Sequence, residues 1–97
     1  MSRRVVFSPA ATADAREITR FGIDRFGGTV GQGYVRDLRA ACKRLGDFPA
    51  LGRLHPTIDP PARVLVHRSR RVFHRVEPDR VLIVRILHHA RATPPAL

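Results

Sequence analysis

Residues 71–91, RVFHRVEPDRVLIVRILHHAR, hold two apolar runs around the tetrapeptide Glu77-Pro78-Asp79-Arg80. β-branched residues favour extended backbone, and proline beside aspartate favours a turn. The segment therefore reads as a β-hairpin, with strands over Arg71–Val76 and Val81–Leu87. A hairpin this apolar has to lie centrally in a sheet, because an exposed edge of that kind recruits other chains. The remainder of the chain must then supply a layer to cover it.

Alternation along the strands assigns faces once Val76 is paired with Val81. One face then carries Arg71, Phe73, Arg75, Leu82, Val84, Ile86 and His88; the other carries Val72, His74, Val76, Val81, Ile83, Arg85, Leu87 and His89. Both sets are apolar in the middle and basic towards one end, so parity leaves open which face is covered. It does place Arg71 and His88 on one face, and His89 joins them only through a bulge or at the strand's end. A neighbouring histidine pair on a strand points to opposite faces, so His88-His89 offers no ready metal site. His74, in mid-strand, reads as a packed histidine.

The covering layer is legible upstream. Arg3–Phe7 reads as a strand. Ser8 can cap a helix whose first residue is Pro9, and Ala11, Ala15, Ile18, Gly22 and Phe26 follow at helical spacing before Gly27-Gly28 ends it. Thr29 with Gln32 makes a capping-box pattern for a second helix. The apolar stripe of that helix is Val30, Tyr34, Leu38, Ala41 and Leu45, with Cys42 beside it and Gly46 as the stop. So short a connection makes the helices an antiparallel pair. Residues 46–61 read as a loop, Arg63–His67 as a strand, and Arg68-Ser69 as a turn. The order β-α-α-β-β-β is an α+β fold, an antiparallel sheet packed on a helical hairpin, with the other sheet face partly open. Residues 1–91 form one domain, and 92–97, with Pro94-Pro95, a C-terminal tail.

Charge narrows the partners. A net charge of +10 on 97 residues, with Lys43 the one lysine among 18 basic residues, creates a field that suits nucleic acid or an acidic protein surface. Arginine favours planar, bidentate partners such as phosphate and carboxylate. The single cysteine, Cys42, excludes an internal disulfide. No apolar run approaches the ~18 residues that span a bilayer, so no membrane association and a cytoplasmic location are expected. No cofactor or metal is expected.

The wording of the segments resembles the RelE/ParE toxin superfamily of bacterial type II toxin–antitoxin modules. The resemblance rests on Val6-Phe7-Ser8-Pro9-Ala10-Ala11 with Asp14 and Ile18, and on Tyr34, Leu38 and Leu45-Gly46-Asp47-Phe48-Pro49 with Gly52. It is most specific in Val72–Val76 and Arg80–Arg91. It implies the β-α-α-β-β-β fold and a cognate antitoxin protein in a hetero-oligomer. It also implies one of two activities: inhibition of DNA gyrase and so of replication, as in ParE-like members, or ribosome-dependent mRNA cleavage, as in RelE-like members. Ile86-Leu87-His88-His89 resembles the ParE-like branch more closely. Cleavage would need a general base, a general acid and cations for the transition-state charge. The resemblance offers Arg71, Arg85, His88 and His89 as candidates. The tyrosine that such nucleases carry near the C-terminus is absent; Ala90 stands there, and the only tyrosine is Tyr34. The expected site is therefore a binding surface for target or antitoxin, made of Arg71, Arg75, Arg85, His88, His89 and Arg91. Nothing forms a helix-turn-helix or an aromatic stacking platform, which weighs against a simple nucleic-acid-binding module.

Overall fold

A computed structural model describes residues 2–97. Strand β1 (Arg4–Phe7) leads through Ser8 into helix α1 (Pro9–Phe26). Ser8 caps α1 as its sequence suggests: its Oγ accepts the Ala11 N–H at 3.0 Å. The same hydroxyl donates to the Val84 carbonyl at 2.7 Å, which ties the helix start to the distant hairpin. Gly27, with φ +85°, ends α1 by donating its N–H to the Ile23 carbonyl at 2.9 Å.

Helix α2 (Gly28–Arg44) begins at the next residue. This overturns the capping box at Thr29. Gly27 closes one helix and opens the other, with no side-chain cap bond, so Thr29 is already inside the helix. The two backbones touch near this turn. A Cβ on Gly31 would lie 2.6 Å from the Gly22 carbonyl carbon and the Ile23 nitrogen, so glycine is a packing requirement there. That contact fixes the rotation of α2. It buries Gly31, Val35, Leu38 and Cys42 and leaves Val30 60% exposed, so that the predicted stripe holds at Leu38 and Leu45, with Tyr34 packed against the core, but fails at Val30. In α1, Ala11, Ala15, Ile18 and Gly22 are buried as predicted, while Phe26 runs past the sheet and stays exposed. Burial pushes the Cys42 thiol up to about 11, against the opposing charge of Arg39, so it is an inert core group.

The sheet has five strands in the order β1-β5-β4-β3-β2. β3 (Ala62–His67), β4 (Arg70–Val76) and β5 (Arg80–His88) are the strands read from sequence, and Val76 does pair with Val81. Two features differ from expectation. A three-residue strand β2 (Arg53–His55) lies inside the predicted loop and pairs with β3; it is too short to show a period. The α+β class stands, but the sheet is mixed, because β1 pairs parallel with β5 while the others are antiparallel.

A bulge in β5 corrects the assignment of faces. His74 pairs with Ile83 and Phe73 with Arg85, so Val84 is an extra residue. Beyond it the parity inverts: Arg71 pairs with Leu87 and Arg70 with His88. Arg71 and His88 therefore lie on opposite faces, contrary to the alternation argument. The helices cover Val72, Val81, Ile83 and Ile86, which form the main core with Ala11, Ile18, Leu38 and Leu45. The far face has a second cluster of Ile58, Ala62, Val64, Phe73 and Leu87, with Leu97 packed against it. Residues 92–97 thus lie on the sheet, where Asp59 donates its N–H to the Pro95 carbonyl at 3.0 Å.

His74 is fully buried, as its mid-strand position suggests. Desolvation pushes its pKa below the ordinary 6.5, outweighing the hydrogen bond to the Val72 carbonyl. The unfolded chain then binds a proton more readily than the folded one. Stability present at neutral pH should fall as pH drops below about 6.5 towards the folded value. Urea midpoints measured at pH 7.5 and pH 5 should show this loss, and His74→Leu should flatten it. An unchanged slope in the variant would contradict the assignment.

Candidate functional site

β5 outlasts its neighbour. The β1 pairing ends at Phe7 with Ile83, so the Ile86 N–H has no strand partner on that side. Asp14 on α1 takes the missing strand's place. Its Oδ2 accepts the Ile86 N–H at 2.9 Å and Arg85 Nε at 2.8 Å, and its Oδ1 accepts Arg85 Nη2 at 3.0 Å. The bidentate hydrogen bond, followed by the Asp14 charge, raises the Arg85 pKa further, with burial opposing. Arg85, a sequence candidate, is thus engaged in pinning α1 to β5. Its partner is 71 residues away in the chain, and Asp14 on sequence alone is only a carboxylate near a helix start.

Beside this pair a groove opens between α1 and the end of the hairpin. Asp14, Glu17, Phe21, Arg70, His88 and Arg91 line its first part, of about 310 Å³. It shares Ile18, Phe21, Arg70 and His88 with a second part of about 540 Å³, which runs under the α1–α2 turn. There the walls are Phe26, Val30 and Tyr34, with Asp37 and Arg68 at the rim. Phe21, Phe26 and Val30 are 51%, 60% and 60% exposed, an unusual concentration of apolar surface on so small a protein. Phe21 and Phe26 meet edge to face, with ring centroids 6.5 Å apart. Arg68 bonds Asp37 at 3.1 Å and lies 5.6 Å over the Tyr34 ring. The groove therefore has an apolar floor and a rim of mixed charge, with Arg68, Arg70 and Arg91 set against Asp14, Glu17 and Asp37.

At its hinge stand the two histidines. β5 ends at His88, which frees His89 from strand alternation, and the rings stack with centroids 4.3 Å apart. His88 Nδ1 accepts the Ala90 N–H at 3.1 Å, so that nitrogen carries no proton. Its pKa is lowered, first by desolvation, then by His89 and Arg70. His89 donates its backbone N–H to the Ser69 carbonyl at 2.8 Å.

The remaining candidates lie across the sheet. Arg71 sits 5.2 Å over the Phe73 ring and donates to Thr93 Oγ1 at 2.6 Å and to the Arg91 carbonyl. Arg75 donates to the Leu97 main-chain oxygen at 3.1 Å and to the Pro60 carbonyl at 3.5 Å. The structure thus brings His88 and Arg91 together along the groove, sets His89 beside them, holds Arg85 against Asp14, and keeps Arg71 and Arg75 apart. Sequence reasoning missed Arg70, Arg68 and the exposed Phe21 and Phe26. Arg70 follows from the bulge, which no residue type announces; Phe26 and Val30 are apolar at core spacing and reveal their exposure only through the helix crossing. Arg71 and His88 cannot meet on one reacting phosphate from opposite faces, whereas the groove has the composition of a binding surface.

No helix among the described residues is long and apolar enough to cross a membrane. The family model for the ParE toxin of type II toxin–antitoxin systems, parDE, matches residues 5–93. Toxin ParE1 from two strains of Mycobacterium tuberculosis is 37% identical over 89 residues, which is 91% of this chain and 91% of the relative. A chain of the chromosomal ParDE system from P. aeruginosa superposes with a TM-score of 0.77 at 22% identity, covering 90% of this chain and 96% of that one, a likeness of fold. The strand-bound Arg and His residues, the helical pair over a mixed sheet and the match over residues 5–93 agree: this chain belongs to the ParE toxin family of type II toxin–antitoxin systems.

Proposed function

We propose that this chain inhibits DNA gyrase by binding it, and that a cognate antitoxin neutralises it by seating an apolar face in the groove between α1 and the hairpin. The whole acts in the cytoplasm as a toxin–antitoxin hetero-oligomer. The observation that carries the binding reading is the separation of Arg71 from His88 by the sheet. The cations that would serve RNA cleavage do not converge on one point, and Arg85 is held by Asp14. Arg91, with the exposed His89 and the half-buried His88 beside it, gives this edge of the groove a positive charge suited to an acidic partner. Arg68 and Arg70 extend it.

Exposed aromatic anchors are the side chains whose loss weakens an interface most. Phe26→Asp, which places a charge on the apolar floor without touching the core, should weaken antitoxin binding at least ~100-fold by titration calorimetry. It should leave the melting temperature unchanged within about 2 °C. Antitoxin affinity within threefold of the original would show that the antitoxin does not bind in the groove. The function itself is tested by inducing the chain in cells without its antitoxin. DNA-damage signalling followed by growth arrest supports gyrase as the target. Rapid mRNA loss with in-frame cuts would replace that reading with the nuclease one.

A further inference from the structure

A cavity of about 560 Å³ lies between β1 and the C-terminal half of α2, where the sheet ends and β1 has no strand on its outer side. Val5 and Phe7, packed from below on the main core, form its floor; Arg3, Arg4, Arg39 and Lys43 form its walls. The backbone holds these walls together. The Arg3 N–H bonds the Gly46 carbonyl at 2.8 Å, which ties the start of β1 to the end of α2. The approach is so close that a Cβ on Gly46 would collide with the Arg3 carbonyl oxygen. Arg39 and Lys43, four residues apart, share one face of α2. No carboxylate lines this cavity, whereas Asp14, Glu17 and Asp37 line the groove and Glu77 the cavity beside Leu54. None of its four cations forms an ion pair among the described residues, and Arg3 Nε is buried without a hydrogen-bond partner.

We propose that this cavity binds a nucleoside polyphosphate, with the phosphates on Arg3, Arg39 and Lys43 and the base over Val5 and Phe7. Its volume is that of a small-molecule site, and such sites join an apolar lining to a few polar groups. Guanidinium groups bond phosphate oxygens through charge-assisted, bidentate hydrogen bonds, and a turn of the Arg3 side chain towards a bound phosphate supplies the acceptor that its Nε lacks. Ordinary roles explain the sign of these charges. Cations near the end of α2 complement its dipole, and arginines guard an open strand edge against pairing. Those roles do not need four unpaired cations around one apolar floor. The floor also selects among phosphate ligands. The backbone of duplex nucleic acid is polar and leaves it uncovered, whereas a nucleotide brings an apolar base face and its phosphates in one small molecule. This cavity shares no lining residue with the groove, so the site stands whatever binds there.

The test uses the full chain and a fluorescent N-methylanthraniloyl ATP, read by anisotropy in magnesium-free buffer at ~0.15 M ionic strength. Saturable binding is expected. Arg39→Ala combined with Lys43→Ala should weaken it at least about thirtyfold. Both positions are exposed and alanine suits a helix, so the fold is kept. Arg16→Ala combined with Arg20→Ala removes the same charge from exposed positions on α1 outside the cavity, and should leave affinity within about twofold. Unlabelled ATP should displace the probe at a concentration at least about tenfold below that of inorganic tripolyphosphate, because only ATP covers the floor. No saturable binding at millimolar probe, equal losses in the two double variants, or tripolyphosphate as effective as ATP overturns the proposal. Displacement by a duplex oligonucleotide at a lower concentration of phosphate groups than ATP overturns it too, and would assign the cavity to nucleic acid.

Discussion

Asp14→Ala is expected to cost about 3 kcal/mol of folding stability, a large part of the ~5–10 kcal/mol available to a domain of this size. Two losses combine. The Ile86 N–H loses its only acceptor at a point where no strand continues, and the Arg85 guanidinium, 29% exposed, is left beside the core without its carboxylate. Arg85→Ala should cost less, ~1–2 kcal/mol, since Asp14 still accepts from Ile86. The double variant should then be less destabilised than the sum of the two, because the charge pair is counted in both. Asp14→Asn, which keeps an acceptor oxygen, should fall between. Urea denaturation of the four proteins checks this series. Losses below about 0.5 kcal/mol for Asp14→Ala would mean that the junction of α1 and β5 is held by apolar packing alone.

Phe73→Ala is expected to be still more damaging, by about 3–5 kcal/mol. Phe73 is fully buried, yet it lies away from the helices, in the small cluster with Ile58, Ala62, Val64 and Leu87. If the sheet had one covered face and one wet face, removing this ring would cost little. A large loss identifies the far face as a second core, closed by the loop carrying Ile58 and by Leu97. Val76→Ala is the control, since Val76 is on the same strand but 41% exposed and should change stability by less than about 1 kcal/mol. Comparable losses for the two variants would contradict the two-core description. Reduced stability in Phe73→Ala should also raise the protein's protease sensitivity at 37 °C.

The limits of the sequence lie in particular residues. The hairpin was legible because β-branched runs and a Pro-Asp turn are local signals, and its pairing at Val76 and Val81 follows from the turn. The helical pair was legible from Ser8-Pro9, Gly27 and the apolar spacing of α1. What escaped was non-local. Val84 looks like any other strand valine, yet its bulge moves Arg71 and His88 to opposite faces and brings Arg70 to the groove. Gly31 reads as a weak helix residue, although the close approach to Gly22 requires it. That crossing also turns Val30 outwards and builds the apolar floor. Arg85 and Asp14 show the same limit, since each alone has an ordinary explanation. Of the groove's lining, His88 and Arg91 were thus named from the sequence, whereas Arg68, Arg70 and the apolar floor were not, nor was the division of the candidates between two faces.

We propose that this fold acts by binding gyrase rather than by cutting RNA. The most direct measurement is a supercoiling assay with purified DNA gyrase, relaxed plasmid and the purified chain, with and without its antitoxin, alongside ribosomes translating a labelled mRNA. Loss of supercoiling at near-stoichiometric toxin, full recovery on adding antitoxin, and intact mRNA are expected. Undiminished supercoiling at excess toxin, together with antitoxin-sensitive cleavage of the message, would contradict the proposal.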